Sequence, residues 1–405
     1  MLPERLRFGR AGKNVLVLAT CQGLLFSINT VFAMVSGLVG ATLAPDPALA
    51  TVPLGLFITG AALTTYPASI LMGHIGRRAG FMIGAAIGFY GGVLGAWAVA
   101  IESFGLLCFT GLFMGMYFAF GAYYRFAIAD VATGTLKRHA VSIVLAGGVL
   151  SGFLGPHSAD WSRDLLAPQT FMASYVVVSA LAYLKFLLLT FIDIPTPPKV
   201  ERRHRGRPLG EIIRQPRFIV AAIAGMVSWA AMNQLMMGAP IAMHVCALPF
   251  SDAAFVMQWH NFAMFLPGFI AGALINRFGV YNVMLWGTGM LFGAVAAVVT
   301  GIDLWNFWWA AFLVGTGWCF LFVSATILIT ECCTVQEQAK TQGFNDFLVF
   351  FAQAAGTFST GALLHLVGWA SVGYTLLPII FITAGATIWL ARREGTLAPA
   401  VRAAT

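Results

Sequence analysis

The chain has 405 residues, of which 59% are hydrophobic and only 9% are charged. A soluble domain carries charge on about a quarter of its residues, so most of this chain cannot face water. Composition therefore excludes a soluble globular domain and predicts a polytopic membrane protein. The net charge of +8 comes largely from basic residues in short loops, which indicates membrane topology and no nucleic-acid partner.

Apolar runs of about 20 residues, the length that crosses a bilayer core, occur twelve times. The predicted spans 1 to 12 lie at approximately 14–43, 52–72, 80–101, 104–125, 140–157, 170–193, 217–243, 252–275, 280–300, 304–330, 342–365 and 372–391. The N-terminal segment is basic like a signal peptide. Because the apolar run behind it is too long and no small-residue cleavage site follows, we assign it to span 1.

Basic residues of the short loops fall on one side of this arrangement, namely Arg5, Arg7, Arg10, Lys13, Arg77, Arg78, Lys137 and Arg138. The other side carries acidic residues, namely Asp46, Glu102, Asp160, Asp164, Asp252 and Asp303, with Arg163 as its strong base. By the positive-inside rule both termini are predicted to be cytoplasmic. The six cysteines show neither disulfide nor zinc-site spacing.

The stretch "IPTPPKVERRHRGRPLGEIIRQPR" interrupts the apolar pattern after span 6. It predicts a cytoplasmic linker at 194–216 between an N-terminal six-helix bundle, 1–193, and a C-terminal six-helix bundle, 217–405. The two halves share a pattern, because "GHIGRRAG" after span 2 and "GALINRFG" after span 8 both fit G-x(4)-R-x-G. A long internal repeat of this kind is typical of duplicated transporter bundles.

Over its whole length the chain resembles the major facilitator superfamily, an all-α membrane fold of two six-helix bundles. That family carries the loop motif G-x-L-x-D-R-x-G-R-R between helices 2 and 3, with a degenerate copy between helices 8 and 9. The resemblance implies a gate at the matching residues, namely Gly73, Ile75, Arg78, Gly80 and, in the second copy, Arg277. The chain departs from the motif at Arg77, Phe81, Met82 and Asn276, which puts the family's charge contacts in question.

Seven of the 16 methionines lie between Met226 and Met264. Met232 and Met236 share one face of span 7, and His260 and Met264 share one face of span 8. At 1.5 Å per residue, Met236 lies about 15 Å below Cys246, and His260 lies about 12 Å below Asp252. If the two spans are neighbours, these side chains form two level pairs of thioether and imidazole, a ligand set that suits Cu(I).

Packing is the alternative interpretation, because methionine commonly fills gaps in apolar cores. Chance predicts about 0.6 M-x(3)-M pairs and about 0.3 H-x(3)-M pairs in such a chain, and one of each occurs. A histidine in mid-membrane is costly and usually functional. The residues alone leave metal binding and packing open.

"MNQLM" in span 7 and "HNFAM" in span 8 resemble the paired motifs of the CcoA-type copper importers, a branch of the same superfamily. The resemblance implies copper ligands at Met232, Met236, His260 and Met264, with a thiol for metal capture at Cys246. By their positions, the further candidates are Met243 and His244 at the outer mouth and His157 near the outer end of span 5 for metal entry, and Met34, near the repeat position of Met232, as a ligand from the opposite bundle. The resemblance also implies a protein of the bacterial inner membrane that imports copper, as Cu(I), for cytochrome oxidase assembly. A copper chaperone or a copper-exporting ATPase would then receive the ion, and no tightly bound cofactor is expected.

Two other functions remain open. A sister branch carries riboflavin and related flavins, and the 34 Phe, nine Tyr and 11 Trp of this chain suit aromatic cargo. A copper-holding assembly factor without transport is the other, although a static scaffold needs no repeated halves. No nucleophile triad, phosphate loop or acidic metal cluster is found, so the chain is not predicted to be an enzyme.

Three further groups stand out inside or at the ends of spans. Lys185 in span 6 is predicted to extend its ammonium toward the cytoplasm. Candidate gate or coupling groups are Asn345 with Asp346, and Arg125 with Asp130.

Overall fold

The computed structural model describes residues 10–124, 127, 147–194, 206–334 and 337–395. Some residues of the topology and gate predictions lie outside these ranges, namely Arg5, Arg7, Arg125, Asp130, Lys137 and Arg138. Helices make up the regular structure of the described residues. The first six are α1 Arg10–Leu43, α2 Val52–Ile75, α3 Arg77–Ala100, α4 Phe104–Gly121, α5 Leu150–Ser162 and α6 Met172–Leu189.

The second half of the chain repeats this helical pattern. Its helices are α7 Pro216–Val245, α8a Phe250–Phe265, α8b Gly268–Phe278, α9 Val280–Thr300, α10 Leu304–Glu331, α11 Gln338–Leu366 and α12 Trp369–Arg393. Within the described ranges, ten helices are long and apolar enough to cross a membrane. The two predicted spans missing from that count are span 5, described only from residue 147 onward, and span 8, which is broken.

Span 8 is two helices and not the single helix that the sequence predicted. Helix α8a ends at Phe265 and α8b begins at Gly268, with Leu266 and Pro267 between them. Proline has no backbone N–H and its ring excludes the normal hydrogen bond to the preceding turn, which explains the break. The break is a kink near the middle of the path through the membrane, because Leu266 and Pro267 keep helical dihedral angles.

The internal repeat has a different register from the one that the sequence alignment predicted. Gly76 ends the turn between α2 and α3 with φ 87°, and Gly279 does the same between α8b and α9 with φ 87°. This conformation favours glycine. The equivalent turn glycines are thus 203 residues apart, whereas the predicted alignment paired Gly80 with Gly279. In the structural register Gly76, Arg77 and Arg78 match the G-R-R end of the loop motif.

Residue contacts divide the chain into two compact units. The first comprises Met1–Ser36 and Leu56–Val200, and the second comprises Gly37–Gly55 and Glu201–Thr405. In the first unit α3 packs against α4 and α6. A Cβ on Gly88 of α3 would overlap the ring of Tyr117, and one on Gly95 would overlap the ring of Tyr175. Small residues thus let these helices approach closely, as is common in membrane bundles.

In the second unit the end of the linker is anchored to the turn between α10 and α11. Glu337, 2% exposed as a side chain, accepts hydrogen bonds from the Arg207 backbone N–H at 2.6 Å, from its Nε at 3.0 Å and from its Nη2 at 2.8 Å. Lys340 Nζ donates to the Arg207 carbonyl oxygen. The Arg207 hydrogen bonds hold the pKa of Glu337 well below its ordinary value, so this carboxylate stays ionised.

Candidate functional site

Helices α7, α8a and α10 carry most of the residues that the sequence singled out. Helix α10 packs against both α7 and α8a, and these two contact each other much less than either contacts α10. The predicted metal pairs need spans 7 and 8 to be close neighbours, and although α7 and α8a do touch, each packs more closely against α10. Met232, Met236 and Met264 are each buried in the core.

His260 faces α10. Its Nδ1 lies 2.7 Å from the carbonyl oxygen of Ala311, and a carbonyl only accepts, so Nδ1 carries the proton and donates it. The other ring nitrogen, Nε2, is then an acceptor, and within the described residues it is buried without a hydrogen-bond partner. An unsatisfied buried polar atom costs about 1–3 kcal/mol.

Four aromatic rings from three helices meet beside the break in span 8, and we call Trp229, Phe265, Trp318 and Phe322 the aromatic cluster. The rings of Trp318 and Phe322, both on α10, lie 5.3 Å apart and are tilted by 13°. Trp229 of α7 stands at 85° to both, 4.9 Å from Trp318 and 5.5 Å from Phe322. Phe265, the last residue of α8a, lies 6.5 Å from Trp318.

The aromatic cluster lies near mid-membrane. Trp229 and Trp318 are each about 20 Å, at 1.5 Å per residue, from the ends of α7 and α10 that are predicted to be cytoplasmic. Trp229 and Phe322 are partly exposed, whereas Trp318 is 7% exposed. Trp318 Nε1 is a donor that is buried without a partner among the residues that the structure describes. Substrate sites of transporters built from repeats lie at this depth, beside interrupted helices.

Buried polar side chains lie one turn further along α7 and on α11. Asn233 Nδ2 donates to Gln353 Oε1 at 2.8 Å, which joins α7 to α11. On α11, Asn345 and Thr357 lie two turns and one turn from Gln353, on the same face. Asn345 Oδ1 and Thr357 Oγ1 are buried without a hydrogen-bond partner in the described part of the chain. Together these groups offer amide and hydroxyl chemistry and no fixed charge.

The residues predicted for metal entry at the end of α7 differ in their exposure. Met243 is buried, His244 is exposed and Cys246 is half-buried at the end of α7. Burial raises the pKa of Cys246, so near neutral pH it stays a thiol, which is a weak metal ligand. Across the described ranges, no group of three or more His, Cys, Asp or Glu is placed to hold a metal ion.

The other residues that the sequence predicted as metal ligands or gate residues do not lie on α7, α8a or α10. In the first unit Met34 is fully buried on α1, and His157 of α5 is exposed with Nδ1 2.9 Å from the Phe153 carbonyl oxygen. Of the loop-motif residues, Gly73, Arg78 and Arg277 are exposed and Gly80 is buried.

Lys185 does not extend toward the cytoplasm as the sequence predicted. It is 1% exposed, and its Nζ lies 3.7 Å from the centre of the Tyr117 ring and 5.5 Å from that of Tyr124. The ammonium is thus held over aromatic faces inside the first unit and does not reach the cytoplasmic surface.

The chain is similar to a protein of Brucella anthropi named riboflavin transporter RfnT, with 37% identity over 392 residues, 96% of this chain and 98% of that protein. It is also similar to the uncharacterized MFS-type transporter YddS of Bacillus subtilis, with 27% identity over 84% of this chain and 82% of that protein.

Two solved structures share the fold. The nucleoside transporter NupG matches with a TM-score of 0.66 and 15% identity, over 95% of this chain and 99% of that chain. A bacterial homologue of the human lysosomal transporter Spinster matches with a TM-score of 0.69 and 16% identity, over 97% of this chain and 99% of that chain.

The copper prediction is wrong. The relative that matches nearly the whole chain at 37% identity is a riboflavin transporter and not a CcoA-type importer. The predictions that depended on copper are therefore wrong as well. They are copper as cargo, the copper chaperone and copper-exporting ATPase as partners, the role in oxidase assembly and the copper-holding assembly factor. The methionine and histidine motifs lie on helices that each pack more closely against α10 than against each other.

The class of protein and the fold are confirmed. A family model described as Major Facilitator Superfamily matches residues 16–357. The helical architecture and the solved transporters of similar fold agree with it, so the chain is a multi-pass membrane transporter and not an enzyme. The chain belongs to the Major Facilitator Superfamily.

Proposed function

We propose that this protein transports riboflavin or a closely related flavin across the bacterial inner membrane by alternating access. The observation that carries the proposal is the 37% identity to a riboflavin transporter over 96% of the chain. At that coverage the similarity includes every described helix. The two-unit organisation suits a carrier whose halves expose a central site to each side in turn.

The chemistry of the second unit supports a flavin. The isoalloxazine ring of a flavin is flat and aromatic, so it stacks on aromatic side chains. Trp229 and Phe322, the partly exposed members of the aromatic cluster, offer such ring faces near mid-membrane. The ribityl chain of riboflavin carries hydroxyl groups, which amide and hydroxyl side chains such as Asn233, Gln353 and Thr357 can bind.

Uptake of radiolabelled riboflavin tests the function. Bacterial cells that lack riboflavin import should accumulate the label when they express this chain, and cells with an empty vector should not. Unlabelled riboflavin in excess should abolish the signal. If membranes contain the protein and no riboflavin accumulates, the proposed function is wrong.

A pair of tryptophan variants tests whether the flavin ring stacks on Trp229. Trp229→Ala removes a stacking face, and stacking of a heteroaromatic base on such a ring is worth about 1–3 kcal/mol, so uptake at low riboflavin should fall about ten-fold. Trp309→Ala on α10 is the matched control, because its ring is 50% exposed and makes no ring contact with the aromatic cluster. Equal losses in the two variants would show that Trp229 acts on folding alone.

A further inference from the structure

Several buried polar atoms at the contact between α8a and α10 have no hydrogen-bond partner among the described residues. Trp308 Nε1 is one of them, with its ring 5.9 Å from that of Trp259. His260 Nε2 and Trp318 Nε1 are two others. Their chemistry is opposite. Nε2 only accepts, because Nδ1 holds the ring proton against the Ala311 carbonyl, and the indole Nε1–H only donates.

The two groups share one face of α10. His260 packs on Ala311 through its hydrogen bond and on Gly315, where a Cβ would lie 3.3 Å from Nδ1. Ala311, Gly315 and Trp318 are spaced i, i+4 and i+7, which is one stripe of an α-helix. Along the axis of α10, the two residues that His260 contacts lie about 5 Å and about 10 Å from Trp318.

Packing alone leaves this arrangement unfavourable. While no partner is present, each unpaired atom destabilises the folded protein, and a hydrocarbon side chain at either position would avoid that cost. A ligand that donates one hydrogen bond and accepts another along a single edge would satisfy both atoms at once.

The isoalloxazine ring of a flavin has such an edge. Its pyrimidine portion presents the N3–H donor between two carbonyl oxygens, O2 and O4. We infer that His260 Nε2 accepts from flavin N3–H and that Trp318 Nε1–H donates to an adjacent flavin carbonyl oxygen. This inference rests on the proposed function and names the residues that recognise the ring.

3-Methylriboflavin provides the test, because a methyl group replaces the N3 proton and both carbonyl oxygens remain. A site that hydrogen-bonds a substrate group discriminates strongly against an analogue that lacks it. In cells that express the wild-type protein, 3-methylriboflavin should compete with labelled riboflavin about ten-fold or more less well than unlabelled riboflavin does. If both compete equally, the inference is wrong, and no variant is needed to reach that conclusion.

Matched substitutions then assign the discrimination to His260. His260→Phe keeps a ring and removes the acceptor, so the two flavins should compete within about two-fold of each other. His260→Gln places an amide oxygen close to the position of Nε2 and should retain the discrimination. Trp318→Phe removes the indole donor, which both flavins use, so affinity for both should fall about five-fold and their ratio should stay the same.

The outcomes separate this inference from the proposed function. If the wild-type chain accumulates no riboflavin, the function itself fails. If it accumulates riboflavin and His260→Phe discriminates as the wild type does, the function stands and the role of His260 is refuted. Membrane abundance is measured for each variant, and equal competition by the two flavins in the wild type refutes the inference whether or not a variant folds.

Discussion

Gly315→Ala is predicted to disturb both stability and uptake through the contact between α8a and α10. A Cβ at this position would lie 2.9 Å from the His260 carbonyl oxygen and 3.1 Å from Ala263 Cβ, so the helices must separate by roughly 0.5 Å to restore ordinary contact. Overpacking of this kind costs about 1–3 kcal/mol. Alanine regains about 1 kcal/mol of helix propensity relative to glycine. The net effect is a destabilisation of roughly 0–2 kcal/mol.

Gly289→Ala on α9 is the matched control, because a Cβ there meets nothing within 4 Å. Gly289→Ala should gain only the helix propensity of alanine, so the free energies of unfolding of the two variants should differ by about 1–3 kcal/mol. This difference is measured as different unfolding midpoints in detergent. The shift of α8a also weakens the hydrogen bond from His260 to Ala311. Riboflavin uptake by Gly315→Ala should therefore fall about five-fold. If both variants have the same unfolding midpoint and the same riboflavin uptake, the close contact of Gly315 with α8a is refuted.

Other substitutions test the remaining features. Gly115→Ala should lower the unfolding midpoint by the equivalent of about 1–3 kcal/mol, because its Cβ would overlap the carbonyl of a residue in α2, whereas Gly105→Ala at an open site of the same helix should not. Met232→Leu conserves volume and should leave riboflavin uptake within about two-fold, and a larger loss would mean that the thioether is required. Glu337→Gln should lower the midpoint at pH 7, because it removes the negative charge and replaces one of the two oxygens that accept from Arg207 with an NH2 donor. The pKa of Glu337 is depressed in the folded protein, so its contribution is present above about pH 4.5 and decreases as the pH falls below that value. The difference between wild type and Glu337→Gln should therefore be smaller at pH 3 than at pH 7, and equal differences would contradict this assignment.

Composition and apolar run length were enough to predict the class of protein and its helices. Short-range rules failed at particular residues. Pro267 breaks span 8, yet the apolar pattern continues through it and hides the break. The repeat was aligned on Gly80 and Gly279 because both fit a short pattern, whereas the positive φ angles of Gly76 and Gly279 mark the equivalent turns.

The functional site shows where sequence reasoning stops. Helical rise places Met236 and His260 at matching depths, but depth along the membrane says nothing about which helices lie side by side. Helix α10 begins more than 40 residues after His260 in the chain and packs against both α7 and α8a. The aromatic cluster joins residues from 229 to 322, which no local motif connects.

The amino-acid sequence by itself determined that this protein is a duplicated bundle of membrane helices, because burial of apolar side chains in lipid follows from composition and run length alone. It also singled out His260 as an unusual residue. Only the tertiary structure decided what that residue contacts. Helix packing gave its Nδ1 a carbonyl partner on α10 and left its Nε2, like the Nε1 of Trp318, buried without one among the described residues. Unpaired atoms of this kind arise from contacts between distant segments, so they can be identified only once those segments are packed together.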